Sequence, residues 1–545
     1  MKNRTAIRDT VARDRFDLCV IGGGATGAGC SLDAQLRGLR TVLLDAGDFA
    51  SAASSASTKL VHGGVRYLEQ AVKRLNLEEY RMVQHALEER IYMLANAPHL
   101  AHASEFIVPV FSWRQAAYYR AGMKIYDWLS GKHALFPSRF LSREETLQRM
   151  PGLKKDSLRG GVAYSDGQFD DARYDLSLVK TFTAAGGAAL NYARVTSFSR
   201  GANGKLQAAV VRDAISNEEF AVEAKIFVNA TGPASDKIRQ VANSSAVKRM
   251  RPSKGVHILF PQEMFPSKDA LLIPKTEDGR LIFAVPWQGR LLVGTTDDEA
   301  TAETRMIVLR QEAEYLLRQL NPFLERPLRA DEIVSGLSGL RPLVAAANGG
   351  QTKELIRDHE VERDAASGLI SILGGKWTTH RLMAEDTIDA VQRALGGPVT
   401  PCLTKQQSLA GAEGFSDSYW KTLASRGMED ATAKHLADKF GTDADKILQL
   451  CEEEPRWKDL LVQGLPAILA EAVFCIREEM AVTIEDILAR RIGIQLIDWR
   501  KAIQAAEATA GLLAQELVWS ADRTKAAIAA YSGKLNGYLH ELGLN

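Results

Sequence analysis

The regular pattern of the chain begins at Phe16 to Ile21, a short apolar run that closes in glycines. A helix-compatible segment follows to Leu36, and Arg40-Thr41-Val42-Leu43-Leu44 is a second apolar run. This alternation predicts a strand, a helix and a second strand of a parallel sheet. Two later runs have the same form: Ile226-Phe227-Val228-Asn229-Ala230-Thr231-Gly232 and Leu369-Ile370-Ser371-Ile372-Leu373-Gly374-Gly375. Both read as strands ending in small residues. In open α/β sheets ligands lie beyond the carboxyl ends of the strands, so those endings mark one side of a site. Phe49 to Ser57, rich in Ser and Ala, has the composition of a linker, but its place directly after the second strand puts it on that same side.

Leu281 to Val285 and Leu291 to Thr295 flank Pro286-Trp287-Gln288-Gly289-Arg290, which predicts an antiparallel hairpin in a second, more β-rich domain of about residues 240–345. After Pro398 the pattern turns helical. Thr442 with Asp445, before Ile447, Leu448 and Cys451, has the spacing of a capping box, and Thr483 with Asp486 repeats it before Ile487 and Leu488. The expected division is a tail over 1–15, a nucleotide-binding region over 16–395 with the β-rich domain interleaved, and a helical domain over 400–545.

Composition narrows this picture. A chain of 545 residues exceeds one core, so two or three domains are expected. Lysine plus arginine (68) nearly balance aspartate plus glutamate (67), which argues against nucleic acid as a partner. Five scattered cysteines without C-x-x-C spacing argue against a disulfide framework, structural zinc or an iron–sulfur cluster, and no metal site is expected. No apolar run reaches the length of a membrane span. The first fifteen residues mix basic and acidic side chains and read as a ragged terminus rather than a secretory or transit peptide.

Gly22-Gly23-Gly24-Ala25-Thr26-Gly27 carries G-x-G-x-x-G between a strand and a helix, where glycines allow a tight turn and close approach of a pyrophosphate to the helix N-terminus. Asp45 ends the second strand eighteen positions after Gly27 and can accept hydrogen bonds from ribose hydroxyls. Together they predict a dinucleotide site without choosing between NAD and FAD.

That choice comes from resemblance. Ser54-Ser55-Ala56-Ser57-Thr58-Lys59-Leu60 followed by His62-Gly63-Gly64-Val65-Arg66-Tyr67-Leu68 is similar to the signature of FAD-dependent, quinone-linked glycerol-3-phosphate dehydrogenases. So are Asn229-Ala230-Thr231-Gly232-Pro233, Lys254-Gly255-Val256-His257, Ser338-Gly339-Leu340-Arg341-Pro342-Leu343 and Gly374-Gly375-Lys376-Trp377-Thr378-Thr379, in the same order along the chain. The stretch from Glu478 through Asp486 to Arg490-Arg491 continues the match. The resemblance implies an α/β fold with an FAD-binding Rossmann-type domain of the glutathione-reductase or amino-acid-oxidase kind, a mixed β-rich substrate domain and an α-helical C-terminal domain. It implies FAD with Gly22, Gly24, Gly27 and Asp45 at its nucleotide end, Ser54, Ser55 and Gly232 nearby, and Gly375, Thr378 and Thr379 near the flavin. The family commonly has Glu where Asp45 stands.

The activity so implied is oxidation of sn-glycerol 3-phosphate to dihydroxyacetone phosphate, by hydride transfer to FAD. Such a substrate demands fixed cations for its phosphate and a base for its hydroxyl proton. Arg66, Arg341 and Arg357 are the phosphate candidates, with Tyr67 as a neutral donor. His257 is the candidate base, and Lys376 the group that polarises the oxygen or holds the charge of the reduced flavin. The implied acceptor is a membrane quinone, with the protein on the inner face of the cytoplasmic membrane as a peripheral passenger. The basic and aromatic segment from Tyr118 to Lys132 is a candidate for lipid contact, and the helical domain for homodimerisation. The alternatives are an oxidase of the same family that returns electrons to oxygen, an amine-oxidising relative with the same FAD domain, and a non-catalytic FAD-binding protein.

Overall fold

The computed structural model describes residues 4–64, 77–345 and 359–544. Strand Arg15–Ile21 lies at the centre of the first sheet, parallel to Thr41–Leu44 on one side and Glu219–Asn229 on the other. Ile370–Gly374 continues the parallel order beyond Glu219–Asn229, and Ala188–Leu190 continues it beyond Thr41–Leu44. Ile21 pairs with both Leu44 and Asn229, so the three predicted strands end at one level. Leu18, Val20, Val42 and Leu43 have no exposed surface, as befits parallel strands covered on both faces. Helices Ala25–Leu36 and His380–Leu395 cover one face and cross at Gly29, where a β-carbon would meet His380 and Ala384 at 3.4 Å.

The second sheet is mostly antiparallel. The predicted hairpin is there as Ile282–Trp287 and Arg290–Gly294, but its turn is only Gln288-Gly289, with φ of +47° and +72°, and Pro286 and Trp287 belong to the strand. Ser253–Pro261 pairs with Arg290–Gly294 on one edge and Ser335–Arg341 on the other. This sheet also recruits Leu60–Val61, Ala101–Val110 and Gly160–Phe169, well before residue 240. Its material therefore comes from two stretches of chain.

Beyond residue 400 the chain is helical among the described residues, with long helices Trp499–Leu517 and Ala521–Leu542. These helices are not an appendage, since Ile258 and Val293 of the second sheet share one apolar core with Leu436, Leu488 and Trp499. Thr483 and Asp486 form the expected reciprocal box: Asp486 N–H donates to Thr483 Oγ1 (3.1 Å) and Thr483 N–H to Asp486 Oδ2 (3.0 Å). Thr442 does not cap. Helix Ala444–Glu453 starts after a tight turn at Gly441–Asp443 with no side-chain cap, because Asp443 is drawn instead to Lys180 (2.7 Å) and Lys446 (2.9 Å). The expected ragged terminus is also corrected, for Arg4–Arg13 is a helix. Ile7 and Val11, one turn apart, face the protein, and Arg4 pairs with buried Asp213 at 2.8 Å. The many charges around those two apolar residues mask the helical face in the sequence.

Candidate active site

The carboxyl ends of the parallel strands carry the residues expected to bind a dinucleotide. Gly22 has φ +109°, and a β-carbon there would lie 2.6 Å from Ala230 O. One on Gly27 would lie 1.7 Å from Gly22 O, and one on Gly24 2.6 Å from Ser54 Oγ. The three glycines thus let the chain close tightly between the strand ends and the N-terminus of helix Ala25–Leu36, where Ala25 N–H donates to Ser54 Oγ at 2.9 Å. Asp45 accepts hydrogen bonds from Gly23 N–H (2.6 Å) and Gly47 N–H (2.7 Å). Burial outweighs these bonds and lifts its carboxyl to about 6. Gly232, at φ +53°, follows the strand that pairs with Arg15–Ile21, and Ala230 N–H donates to Ile21 O (2.8 Å), which sets it beside the Gly22 turn.

The serine turn and the late glycines meet. Trp377 Nε1–H donates to Ser54 O at 2.8 Å, and Ser55 O accepts from Lys59 Nζ at 2.9 Å. Gly375, at φ +83°, leaves no room for a β-carbon, which would lie 2.3 Å from Met383 Sδ. Thr378 Oγ1 accepts from His62 N–H at 3.3 Å, and Thr378 and Thr379 are both buried. Lys376 Nζ reaches Met82 Sδ at 3.4 Å and, with burial as the larger cause, contributes to lowering the pKa of His62. Gly63 N–H donates to Tyr126 OH at 3.0 Å, and that phenol donates to Asp166, which pairs with Arg90 at 2.6 Å. This buried chain of bonds fixes the His62-Gly63-Gly64 segment.

On the second sheet, Ser253 pairs with Arg341, Gly255 with Gly339 and His257 with Leu337, so these six share one face. The guanidinium of Arg341 extends along that face over Gly255, whose β-carbon would lie 2.6 Å from Arg341 Nη2. Arg341 donates to Thr295 Oγ1 (3.0 Å), Thr296 O (3.1 Å) and Asp297 Oδ1 (3.2 Å). His257 is buried, its Nε2 is 3.0 Å from Thr58 Oγ1, and among the described residues its Nδ1 has no hydrogen-bond partner. Burial, then Arg341 and Lys59, lower its pKa to about 3. The imidazole is therefore neutral across the physiological range.

Three comparisons bear on this arrangement. Residues 17–388 match the family described as FAD dependent oxidoreductase, and residues 402–524 match the C-terminal domain of alpha-glycerophosphate oxidase. A mitochondrial glycerol-3-phosphate dehydrogenase of Arabidopsis thaliana is 38% identical over 542 residues, covering 96% of this chain and 86% of the relative. The chain belongs to the FAD-dependent glycerol-3-phosphate dehydrogenase family. A human mitochondrial glycerol-3-phosphate dehydrogenase is likewise 38% identical, over 92% of this chain and 71% of the relative. The solved glycerol-3-phosphate dehydrogenase of Bacillus halodurans, complexed with FAD, superimposes with a TM-score of 0.80 at 31% identity, covering 99% and 97% of the two chains. L-alpha-glycerophosphate oxidase of Mycoplasma pneumoniae shares the fold alone, with a TM-score of 0.54 at 16% identity over 71% of this chain.

The residues present fit the family's cofactor. The turn of Gly22, Gly24 and Gly27 has no room for any β-carbon and brings the chain close at the N-terminus of a helix, and the Asp45 carboxyl stands at the strand end where a ribose would be read. Of the site residues expected from the sequence, Arg66, Tyr67 and Arg357 lie outside the described residues. Sequence reading missed Thr58, Thr295 and Asp297, which hold His257 and Arg341, and Gly294, which makes room for the imidazole. The run Gly294-Thr295-Thr296-Asp297 after a hairpin strand was the available signal. It also gave no role to Lys59, fully buried against Asp171 at 2.5 Å.

Proposed function

We propose that this chain oxidises sn-glycerol 3-phosphate to dihydroxyacetone phosphate and passes the electrons to a membrane quinone. The observation that carries the reading is the shared face of His257 and Arg341, one a neutral base and the other a fixed cation, beside a dinucleotide cradle. Bound FAD supplies the acceptor for the hydride that leaves carbon 2. It would be held by Gly22, Gly24, Gly27 and Asp45 at the nucleotide end, with Ser54, Ser55, Gly232, Gly375, Thr378 and Thr379 along its length.

In this reading Arg341 binds the phosphate. Thr295, Thr296 and Asp297 hold its guanidinium ready, and this reduces the ordering cost on binding. Arg66, Arg357 and Tyr67 complete the phosphate site. His257 takes the hydroxyl proton at Nε2, the nitrogen that faces Thr58 Oγ1. Lys376 polarises the substrate oxygen or balances the charge of the reduced flavin.

Transfer to quinone requires access to a bilayer. Among the described residues no helix is long and apolar enough to cross one, so the proposal is peripheral docking on the inner face of the cytoplasmic membrane. Helix Trp113–Ser130 supports it: Ala116, Met123, Tyr126 and Leu129 pack inward, while Trp113 and Trp128 are 65% and 72% exposed. Trp113, Ala117, Ala121, Lys124 and Trp128 fall on one face at helical spacing, flanked by Arg114 and Arg120, the make-up of an interfacial helix.

The test is anaerobic addition of sn-glycerol 3-phosphate to the flavin-loaded protein, followed by a soluble quinone analogue or oxygen. Bleaching reversed quickly by quinone and slowly by oxygen is expected. Fast reversal by oxygen would make the chain an oxidase, and no bleaching would overturn the substrate.

A further inference from the structure

The proposed reaction leaves the helical C-terminal domain without a part, yet that domain reaches the nucleotide-binding loop. Three residues after Asp45, the carboxylate of Asp48 has no exposed surface. It accepts from Arg490 Nε (2.7 Å), Arg491 Nη1 (2.7 Å) and Nη2 (3.0 Å), and Asn191 Nδ2 (3.0 Å). Against burial, which raises it, the Arg491 and Arg490 guanidiniums hold this carboxyl at about 2. Both arginines lie in a single π-helical turn, Asp486–Arg491, a rare geometry that recurs at functional sites. The turn is braced on its far side, where Arg490 Nη2 and Tyr192 OH both donate to Asp486 Oδ1 at 2.6 Å.

The same loop is held along its backbone. Tyr192 N–H donates to Gly47 O (2.7 Å) and Ala193 N–H to Asp45 O (2.6 Å). Charge gives a second reason for the arginines. Asp175 interacts with Asp45, Asp171 and Asp48, and burial and Asp48 both raise the Asp45 pKa while Arg490 lowers it. Lys59 balances Asp171, and Arg490 with Arg491 balances Asp48. Without the two guanidiniums, Asp48 would be a buried, unpaired carboxylate directly behind the ribose-binding group.

We propose that Arg490 and Arg491 are positioning residues for the cofactor: they fasten Asp48 and so hold Asp45 where it meets the adenosine ribose, and the C-terminal domain thereby sets how tightly FAD is kept. The inference rests on the assignment of the Gly22 to Asp45 unit to FAD.

The experiment is reconstitution of flavin-stripped full-length protein with FAD, and separately with ADP as a probe of the nucleotide end, for the unsubstituted chain, Arg491→Met and the milder Arg491→Lys. Thermal midpoints are recorded with and without FAD. Arg491→Met is expected to raise the Kd for FAD at least tenfold and that for ADP in parallel, with Arg491→Lys between. The stabilisation that FAD confers shrinks accordingly, while turnover per bound flavin at saturating FAD stays within about twofold. An unchanged Kd, with loaded and stripped midpoints falling together, would reduce the arginines to cement between domains and overturn the inference. If Arg491→Met does not fold, Arg491→Lys carries the same test. Failure of the unsubstituted chain to bind FAD would instead overturn the nucleotide-site assignment, and the inference with it.

Discussion

The imidazole of His257 lies across Gly294, its Cδ2 only 2.0 Å from where a β-carbon would stand. The two residues face each other on paired strands, so neither can withdraw without breaking the sheet. Gly294→Ala should therefore displace His257 while leaving FAD in place. Displacements of about an ångström cost on the order of a hundredfold in rate. Stopped-flow flavin reduction should show such a loss with unchanged flavin content, and an unaltered rate would remove His257 from the reaction.

His257 itself predicts an effect on catalysis and one on pH. His257→Gln should slow flavin reduction by roughly 10², the low end for a positioned base, because an imidazole held at about 3 is a weak proton acceptor. Because burial, Arg341 and Lys59 hold the imidazole pKa at about 3, the free enzyme needs no deprotonation of this group near pH 6.5. The substitution should leave unchanged whatever inflection kcat/KM shows in that region. Loss of an inflection near 6.5 in the variant would contradict the buried, neutral imidazole.

The two ends of the site should separate cleanly. Arg341→Ala removes charge-assisted bonds worth roughly 1.5–3 kcal/mol each, so KM should rise by about ten- to a hundredfold with FAD retained. Gly24→Val should abolish FAD binding, because even a β-carbon there meets Ser54 Oγ at 2.6 Å. Spectrophotometric flavin content and steady-state kinetics read both outcomes.

The Asp45 carboxyl is raised to about 6 by burial, and in the proposed site only its ionised form would accept from both ribose hydroxyls. Below pH 6 a proton must leave as FAD binds, so affinity should fall by up to about tenfold per pH unit, and above pH 6 it should be flat. Asp45→Asn should remove the slope along with much of the affinity. Titration of the stripped protein between pH 5 and 8 is the measurement.

Asp175 is wholly buried, and among the described residues neither of its oxygens has a hydrogen-bond partner. Burial, then Asp45, Asp171 and Asp48, push its pKa well above the usual carboxylate value. A raised carboxyl favours folding at pH below the unfolded value near 4 and loses that advantage as pH rises, by about 1.4 kcal/mol for each unit of difference. Asp175→Asn should thus stabilise the protein at pH 7 and barely change it at pH 4. Equal shifts in thermal midpoint at both pH values would refute the coupling.

For the membrane reading, Trp113→Ser with Trp128→Ser should lower the fraction sedimenting with anionic lipid vesicles by about tenfold in partition coefficient, the scale of about 1.4 kcal/mol of lost interfacial burial. Flavin content should be unaffected. Equal recovery with and without vesicles in the unsubstituted protein would dispose of the helix as a lipid contact.

Much of this protein is written locally. Strands Arg15–Ile21 and Thr41–Leu44, the glycine turn and Asp45 follow from apolar runs, glycine punctuation and a spacing, all of which act within about thirty residues. The hairpin at Gln288-Gly289 and the box of Thr483 with Asp486 follow for the same reason. Only tertiary structure decided what pairs across distance. Ala101–Val110 and Gly160–Phe169 join one sheet with Ser253–Pro261, Ile282–Trp287 and Ser335–Arg341 from much later in the chain, because an apolar face is buried by whichever strand completes it. His257 owes its neutral state to Arg341, Lys59 and burial, none of which its neighbours in sequence reveal. Arg490 and Arg491 belong in the sequence to a family resemblance that gives them no role, until folding carries them 442 and 443 positions back to Asp48. Local periodicity fixes the type of an element, whereas the partner of a buried charge is fixed by the cost of leaving it alone.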